Sequence, residues 1–214
     1  MKKITIVVLT LCIAFASGCR WVGIRGNGRI ETDDRTISAF SEIDAGGGFE
    51  IEWQSGSPAL RITTDENLLS YVESDVSGDT LRLRTQEQIW PTHGIKVVIS
   101  SPTRTAARIR GAVRLTAKQL TGPKFALEGS GASRVLLDGT VHELLADMTG
   151  ASELDASGLQ TKTAEISTTG AGDAEVAVAE TLKVAITGAG KVSYSGNPTI
   201  EKHITGAGSV KRRE

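Results

Sequence analysis

A chain of 214 residues with 24 lysines and arginines against 25 acidic side chains carries a net charge of −1, which leaves no basic field to attract nucleic acid. Only 4% of its residues are aromatic, and its two cysteines are Cys12 and Cys19. A disulfide scaffold is excluded, because Cys12 falls in a segment that reads as removed from the mature protein.

Lys2 and Lys3 precede an apolar run over residues 4–15, too short to span a bilayer comfortably, and Ala16-Ser17-Gly18-Cys19 follow. This is the layout of a secretory signal. Its last four residues resemble the bacterial lipobox, in which cleavage precedes the cysteine and the thiol receives a diacylglyceryl group. Residues 1–18 are therefore expected to be a lipoprotein signal peptide and Cys19 the lipidated residue. An ordinary signal peptide with a chance cysteine is the alternative. Arg20, not aspartate, follows the cysteine, which under the sorting rules of such proteins favours the outer membrane. Residues 19–35 then form a lipid-anchored tether, and 211–214 a solvated basic tail. Cleavage leaves 196 residues with 22 basic and 25 acidic side chains, enough for one domain with a sufficient core.

Gly26 and Gly28 around Asn27 form a candidate turn. Over residues 36–100 the period-2 signal of strands recurs: Phe49, Ile51 and Trp53 alternate with Glu50 and Glu52, Leu81 and Leu83 with Arg82 and Arg84, and Ile95, Val97 and Ile99 form a third run. Between them residues 65–72 predict one short helix with Asp65 as N-cap. Trp90, Pro91, Thr92 and His93 interrupt two strand runs and read as a loop. Trp90 and His93 are the candidate binding-surface residues there.

From residue 111 onward the pair Gly-Ala recurs at Gly111, Gly131, Gly150, Gly170, Gly188 and Gly206, at intervals of 18 to 20 residues. A period this regular marks a solenoid, and it is too short for helix-bearing repeats. Ser130, Thr149, Thr169, Thr187 and Thr205 precede five of the glycines, and Arg110 the first. Leu115, Val135, Leu154, Ala174, Val192 and Val210 stand four residues after them. An apolar column of this kind faces inward, and the repeats are rich in Val, Thr, Ile and Gly, so the fold class is all-β, a parallel β-helix or β-solenoid. Gly26 and Gly28 are a candidate early copy of the corner, and the alanine beside each glycine is expected to pack within or between rungs.

The chain also resembles a known family, the putative auto-transporter adhesin head GIN domain of exported bacterial proteins. The likeness lies in Ile43-Asp44-Ala45-Gly46-Gly47-Gly48-Phe49, in Asp65-Glu66-Asn67-Leu68-Leu69, in Gly78-Asp79-Thr80-Leu81 and in the Gly-Ala repeats, over residues 36–210. The resemblance implies a right-handed β-helical fold on a cell-envelope protein, with adhesion as its role and no catalytic residues. A lipid anchor is expected to replace the membrane barrel of an auto-transporter.

Parallel β-helices also host polysaccharide-cleaving enzymes, which need paired carboxylates in a loop-walled cleft. The even repeat lengths leave no insertion to build such walls, and Asp138, Asp147, Asp155 and Asp173 lie at different offsets from their corners. His93, His142 and His203 lack ligand spacing, so neither metal nor cofactor is expected. Gly188-Ala189-Gly190-Lys191 lacks the spacing of a phosphate loop, and the column Arg114, Arg134, Glu153, Asp173, Lys191, Ser209 mixes signs, which precludes a calcium ladder. Most aromatic residues precede residue 110, which places a glycan platform, if any, in the first half. Three functions remain in descending order: a noncatalytic envelope lipoprotein binding a glycan or matrix ligand, a structural or sensory module for another envelope protein, and a carbohydrate-active enzyme.

Overall fold

The computed structural model describes residues 23–213; Cys19 and the signal segment lie outside them. The chain enters at β1 (Ile24–Arg25) and β2 (Ile30–Arg35), so the fold begins inside the segment expected to be a tether. Then β3 (Glu42–Gly47) and β4 (Phe49–Ser55) are separated by Gly48 alone. After β5 (Ala59–Asp65), a 3-10 helix over Glu66–Tyr71 leads to β6 (Val72–Ser77) and β7 (Thr80–Thr85). The short β8 (Ile89–Trp90), β9 (Ile95–Ser101) and β10 (Ala106–Gly111) follow. Four long bent strands come next, β11 (Arg114–Gly131), β12 (Arg134–Gly150), β13 (Glu153–Gly170) and β14 (Asp173–Gly188). The last are β15 (Lys191–Ser195), β16 (Thr199–Gly206) and β17 (Ser209–Arg212).

Parallel pairing stacks these strands into a β-solenoid of about five turns. One face runs β7, β3, β10, β11, β12, β13, β14, β16, and the face around the corner runs β9, β4, β11, β12, β13, β14, β15, β17. The corner glycines form one column in register, Gly47, Gly111, Gly131, Gly150, Gly170, Gly188, Gly206. Its first member is therefore Gly47, not Gly26 or Gly28. Each of these glycines has positive φ, and a Cβ on any of the six later ones would stand 2.3–2.8 Å from the carbonyl oxygen of the glycine one rung earlier. Only glycine permits both the backbone angle and that approach. The amide after the glycine donates to the same oxygen, as in Ala132 N to Gly111 O at 3.0 Å and Ala189 N to Gly170 O at 2.8 Å, so the chain turns without orphaning its backbone.

The corner alanines correct the sequence reading. Ala112, Ala132, Ala151, Ala171 and Ala189 are all exposed, and the next residue in each corner, Val113, Ser133, Ser152, Gly172 and Gly190, is buried. Counting back by twos from inward Leu115 places Ala112 outside, so strand alternation persists into the corner. Inside it, residue size is matched between rungs: a Cβ on Gly190 would lie 2.7 Å from Thr168 Oγ1, and one on Gly208 2.5 Å from Ile186.

The inward column that stands four residues after the corner glycines is buried from Leu115 through Val192 and half-buried at Val210 on the last strand. Upstream of the corners Phe125, Leu144, Ile166 and Leu182 fill the opposite wall, while Ile200 at the last rung is exposed. Where the repeat meets the first half, buried Trp53 lies beside Ala117 in register and contacts Phe40 and Phe125, with ring centroids 6.1 and 6.3 Å away. Its Nε1 donates to Ser101 Oγ at 2.9 Å. Phe40, Phe49 and Trp53 are thus core residues and offer no glycan platform.

Pairing turns antiparallel only at the N-terminal end, where β6 adds to β7, and β5 and then β2 add to β9. The 3-10 helix joins β5 to β6 across this end and buries Leu68, so the first turn is capped. Reversing direction leaves no parallel edge onto which a further rung could stack. The predicted helix is present, but the Asp65 side chain does not cap it.

Candidate binding surface

Asp65 is instead the centre of a clasp. Fully buried, its carboxylate accepts from Gly28 N at 2.7 Å, from Thr92 N at 2.8 Å and from Thr92 Oγ1 at 2.8 Å. Burial opposes ionisation, yet the hydrogen bonds from Thr92 and Gly28 outweigh it and hold the carboxyl below its ordinary range. Gly26 is required for this approach, because a Cβ there would meet the carboxylate at 2.3 Å. The Gly26-Asn27-Gly28 turn is therefore a cradle for Asp65. Asn27 N donates to Asn67 Oδ1, and Asn67 Nδ2 to Arg25 O, at 2.9 and 2.8 Å. The arm before β2 is thereby tied to the helix.

Trp90 and His93 flank this clasp without converging. Trp90 belongs to β8, which pairs with β1, and its side chain is 39% exposed. His93 is exposed, with Nδ1 2.9 Å from Thr92 Oγ1. Because the threonine hydrogen goes to Asp65, the hydroxyl accepts from His93 Nδ1–H. His93 also lines a shallow groove of about 570 Å³ that follows the corner. Exposed Ala112, Ala132 and Ala151 line it beside Arg114, Arg134 and Glu153, and Trp90 is not among its residues. Arg134 pairs with Glu153 at 2.7 Å and Arg114 with Glu50 at 3.8 Å.

On the other side of the corner, Arg110, Ser130, Thr149, Thr169, Thr187 and Thr205 stand in register. Ser130 is half-buried and the four threonines are exposed, one strand spacing of about 4.8 Å apart. The result is a straight row of hydroxyls along the solenoid.

Beside this row lies a charged network that reading by sequence offset missed. Asp44 receives Arg84 at 2.8 Å and Arg110 at 2.9 Å, and Arg108 holds Glu128 in a two-point contact at 2.5 and 2.9 Å. The Arg108 hydrogen bond keeps Glu128 below the usual carboxylate range. Register also sets three pairs of carboxylates side by side: Glu128 neighbours Asp147, Glu153 neighbours Asp173 as their shared column predicts, and Asp155 neighbours Glu175. In each pair one member is held by an arginine, Glu128 by Arg108, Glu153 by Arg134 and Glu175 by Arg213, and for Glu128 that hydrogen bond favours the ionised form over the protonated acid that glycoside cleavage needs. Asp138 and Asp155 share no column with another of the four candidate aspartates. Among the described residues no three His, Cys, Asp or Glu side chains group to hold a metal ion.

Arg104 closes the wall near Trp53. It is buried and donates to the carbonyl oxygens of Trp53, Lys118 and Gln119 at 3.0, 2.8 and 2.6 Å. Burial lowers its pKa, and the three oxygens satisfy the guanidinium at the bend where Gln119 has φ of 55°. Its role is structural.

The family model described as "Putative auto-transporter adhesin, head GIN domain" matches residues 39–198. Among solved structures, the chain is similar to a putative adhesin from Bacteroides fragilis NCTC 9343, with 23% identity and a TM-score of 0.75 over 89% of this chain and 100% of that one. A putative lipid binding protein from Parabacteroides distasonis ATCC 8503 is 22% identical, with a TM-score of 0.60 over 89% of this chain and 99% of that one. A putative adhesin from Parabacteroides merdae ATCC 43184 is 20% identical, with a TM-score of 0.58 over 90% and 99%. These likenesses establish a shared fold. No curated protein matches the chain.

Proposed function

The chain belongs to the putative auto-transporter adhesin head GIN domain family, and from that premise we propose that it is a noncatalytic lipoprotein of the cell envelope, anchored through Cys19, that binds an extended ligand along its corner. The observation that carries this reading is the alignment of an open groove, an exposed hydroxyl row and a charged strip on adjoining sides of one corner. A linear glycan or an extended matrix segment matches such a surface, because contacts repeat from rung to rung and neither ligand needs an enclosed cavity. Ligand hydroxyls and amides can pair with the threonine row, while the Arg and Glu strip fixes orientation.

Catalysis is not part of the proposal, since one member of each carboxylate pair, Glu128, Glu153 or Glu175, is held by an arginine. Probing glycan and matrix-protein arrays with the soluble domain tests the binding role. Retention of an unmodified ligand supports it, and turnover of that ligand opposes it. Protease sensitivity on intact cells separates an outward-facing adhesin from an internal module that packs on another envelope protein.

A further inference from the structure

The chain re-enters the fold at one particular place. Ile24 N donates to Gln88 O at 2.9 Å and Gly26 N to Trp90 O at 2.9 Å. A Cβ on Gly23 would lie 2.4 Å from Trp90 Nε1, so the first described residue is against the indole. Two of the large apolar side chains left exposed in the described fold, Trp90 at 39% and Ile30 at 46%, bracket the Asp65 clasp. Ile30 pairs with Asp65 itself in the β2–β5 ladder, and Trp90 is two residues from Thr92, which bonds Asp65.

From this geometry we infer that the clasp end of the solenoid is a membrane-apposed face, with Trp90 and Ile30 seated at the headgroup level of the bilayer that holds the acyl chains on Cys19. The inference rests on the proposed lipidation of Cys19. Four residue steps separate Cys19 from Gly23, a reach of at most about 14 Å. A folded domain of 100 residues has a radius of gyration of about 13 Å, so no such domain fits between the clasp and the membrane. The bilayer surface is therefore the occupant. Tryptophan suits that position, since its amphipathic ring is enriched at membrane–water interfaces. The buried Asp65 clasp makes the seat rigid, and the successive turns then stack away from the bilayer. The groove and the hydroxyl row run outward from the anchor.

The test uses the full-length lipoprotein purified from its membrane and reconstituted in phosphatidylethanolamine–phosphatidylglycerol vesicles. A Trp21→Phe background leaves buried Trp53 and exposed Trp90 as emitters. Lipids brominated near the headgroup end of the acyl chain should quench part of the emission, and Trp90→Phe should abolish the quenchable part with an unchanged circular dichroism spectrum. If the mass of the protein includes the acyl chains but bromolipid has no effect, or its effect survives Trp90→Phe, membrane apposition is overturned while the lipoprotein reading stands. If the acyl mass is missing from Cys19, both fall. If Trp90 is shielded from acrylamide only when the protein has the mass of a dimer in detergent, a second copy covers the face and the inference also falls.

Discussion

Gly188 lies over Gly170 so closely that a Cβ on Gly188 would stand 2.3 Å from the Gly170 carbonyl oxygen, while Ala189 N donates to that same oxygen at 2.8 Å. The contact that forbids a side chain is the one that turns the corner. Gly188→Ala should therefore destabilise by about 3 kcal/mol or more, combining a positive φ with a backbone clash. Ala171→Arg, at an exposed corner position, should stay within about 0.5 kcal/mol. Urea unfolding of the two variants checks the order.

The Asp65 clasp adds a pH dependence of definite sign. Its folded carboxyl titrates below the ordinary value near 3.8, so its stabilisation is complete above the unfolded value and is lost as pH falls through the folded one. Asp65→Asn keeps one acceptor but sets its NH2 against either Thr92 N, which donates to Oδ2, or Gly28 N, which donates to Oδ1, and this costs about 1–3 kcal/mol at neutral pH. The gap in melting temperature between wild type and Asp65→Asn should narrow below about pH 4.

Thr168 presents the opposite case. Its Oγ1 is buried and has no hydrogen-bond partner among the described residues, whereas the neighbouring corner pair Ser133 and Ser152 bond each other at 3.0 Å. Thr168→Val keeps the shape and removes the orphaned hydroxyl, so it should be neutral or stabilise by about 1 kcal/mol. Ser152→Val removes the partner of Ser133 and should destabilise, as thermal melts of the two variants would show.

Much of the architecture is legible in the sequence because a solenoid converts spacing directly into register. The glycine, hydroxyl and apolar columns all follow from one interval. Two classes of feature escape this logic. The corner alanines were misplaced because their small size fits a buried and an exposed site equally, and only alternation from Leu115 decides between them. Asp65, Gly28 and Thr92 come together through contacts 27 to 37 residues apart in the chain, outside any repeat. The Glu128–Asp147 neighbours escaped because the comparison of offsets took in aspartates alone, although Glu128 and Asp147 both stand three residues before their corner glycines. Trp90 and His93 share a segment, but its path divides them between the clasp and the groove.

Lys202 occupies the inward column of β16, in register with buried Val184. An inward charge on an edge strand discourages pairing with another edge. Lys202→Val should restore the apolar column and favour association through β16. Light scattering should then detect a dimer at concentrations where wild type remains monomeric.

The most direct test of the binding account is an array of linear glycans and extended matrix proteins probed with the soluble domain, with the captured ligand recovered and its mass measured. The expected result is a ligand of unchanged mass, with binding weakened at least tenfold by Arg134→Glu, or by Thr169→Arg in the exposed hydroxyl row. Cleavage of the ligand, abolished by Glu128→Gln or Asp147→Asn, would contradict the noncatalytic corner and place an enzyme there instead.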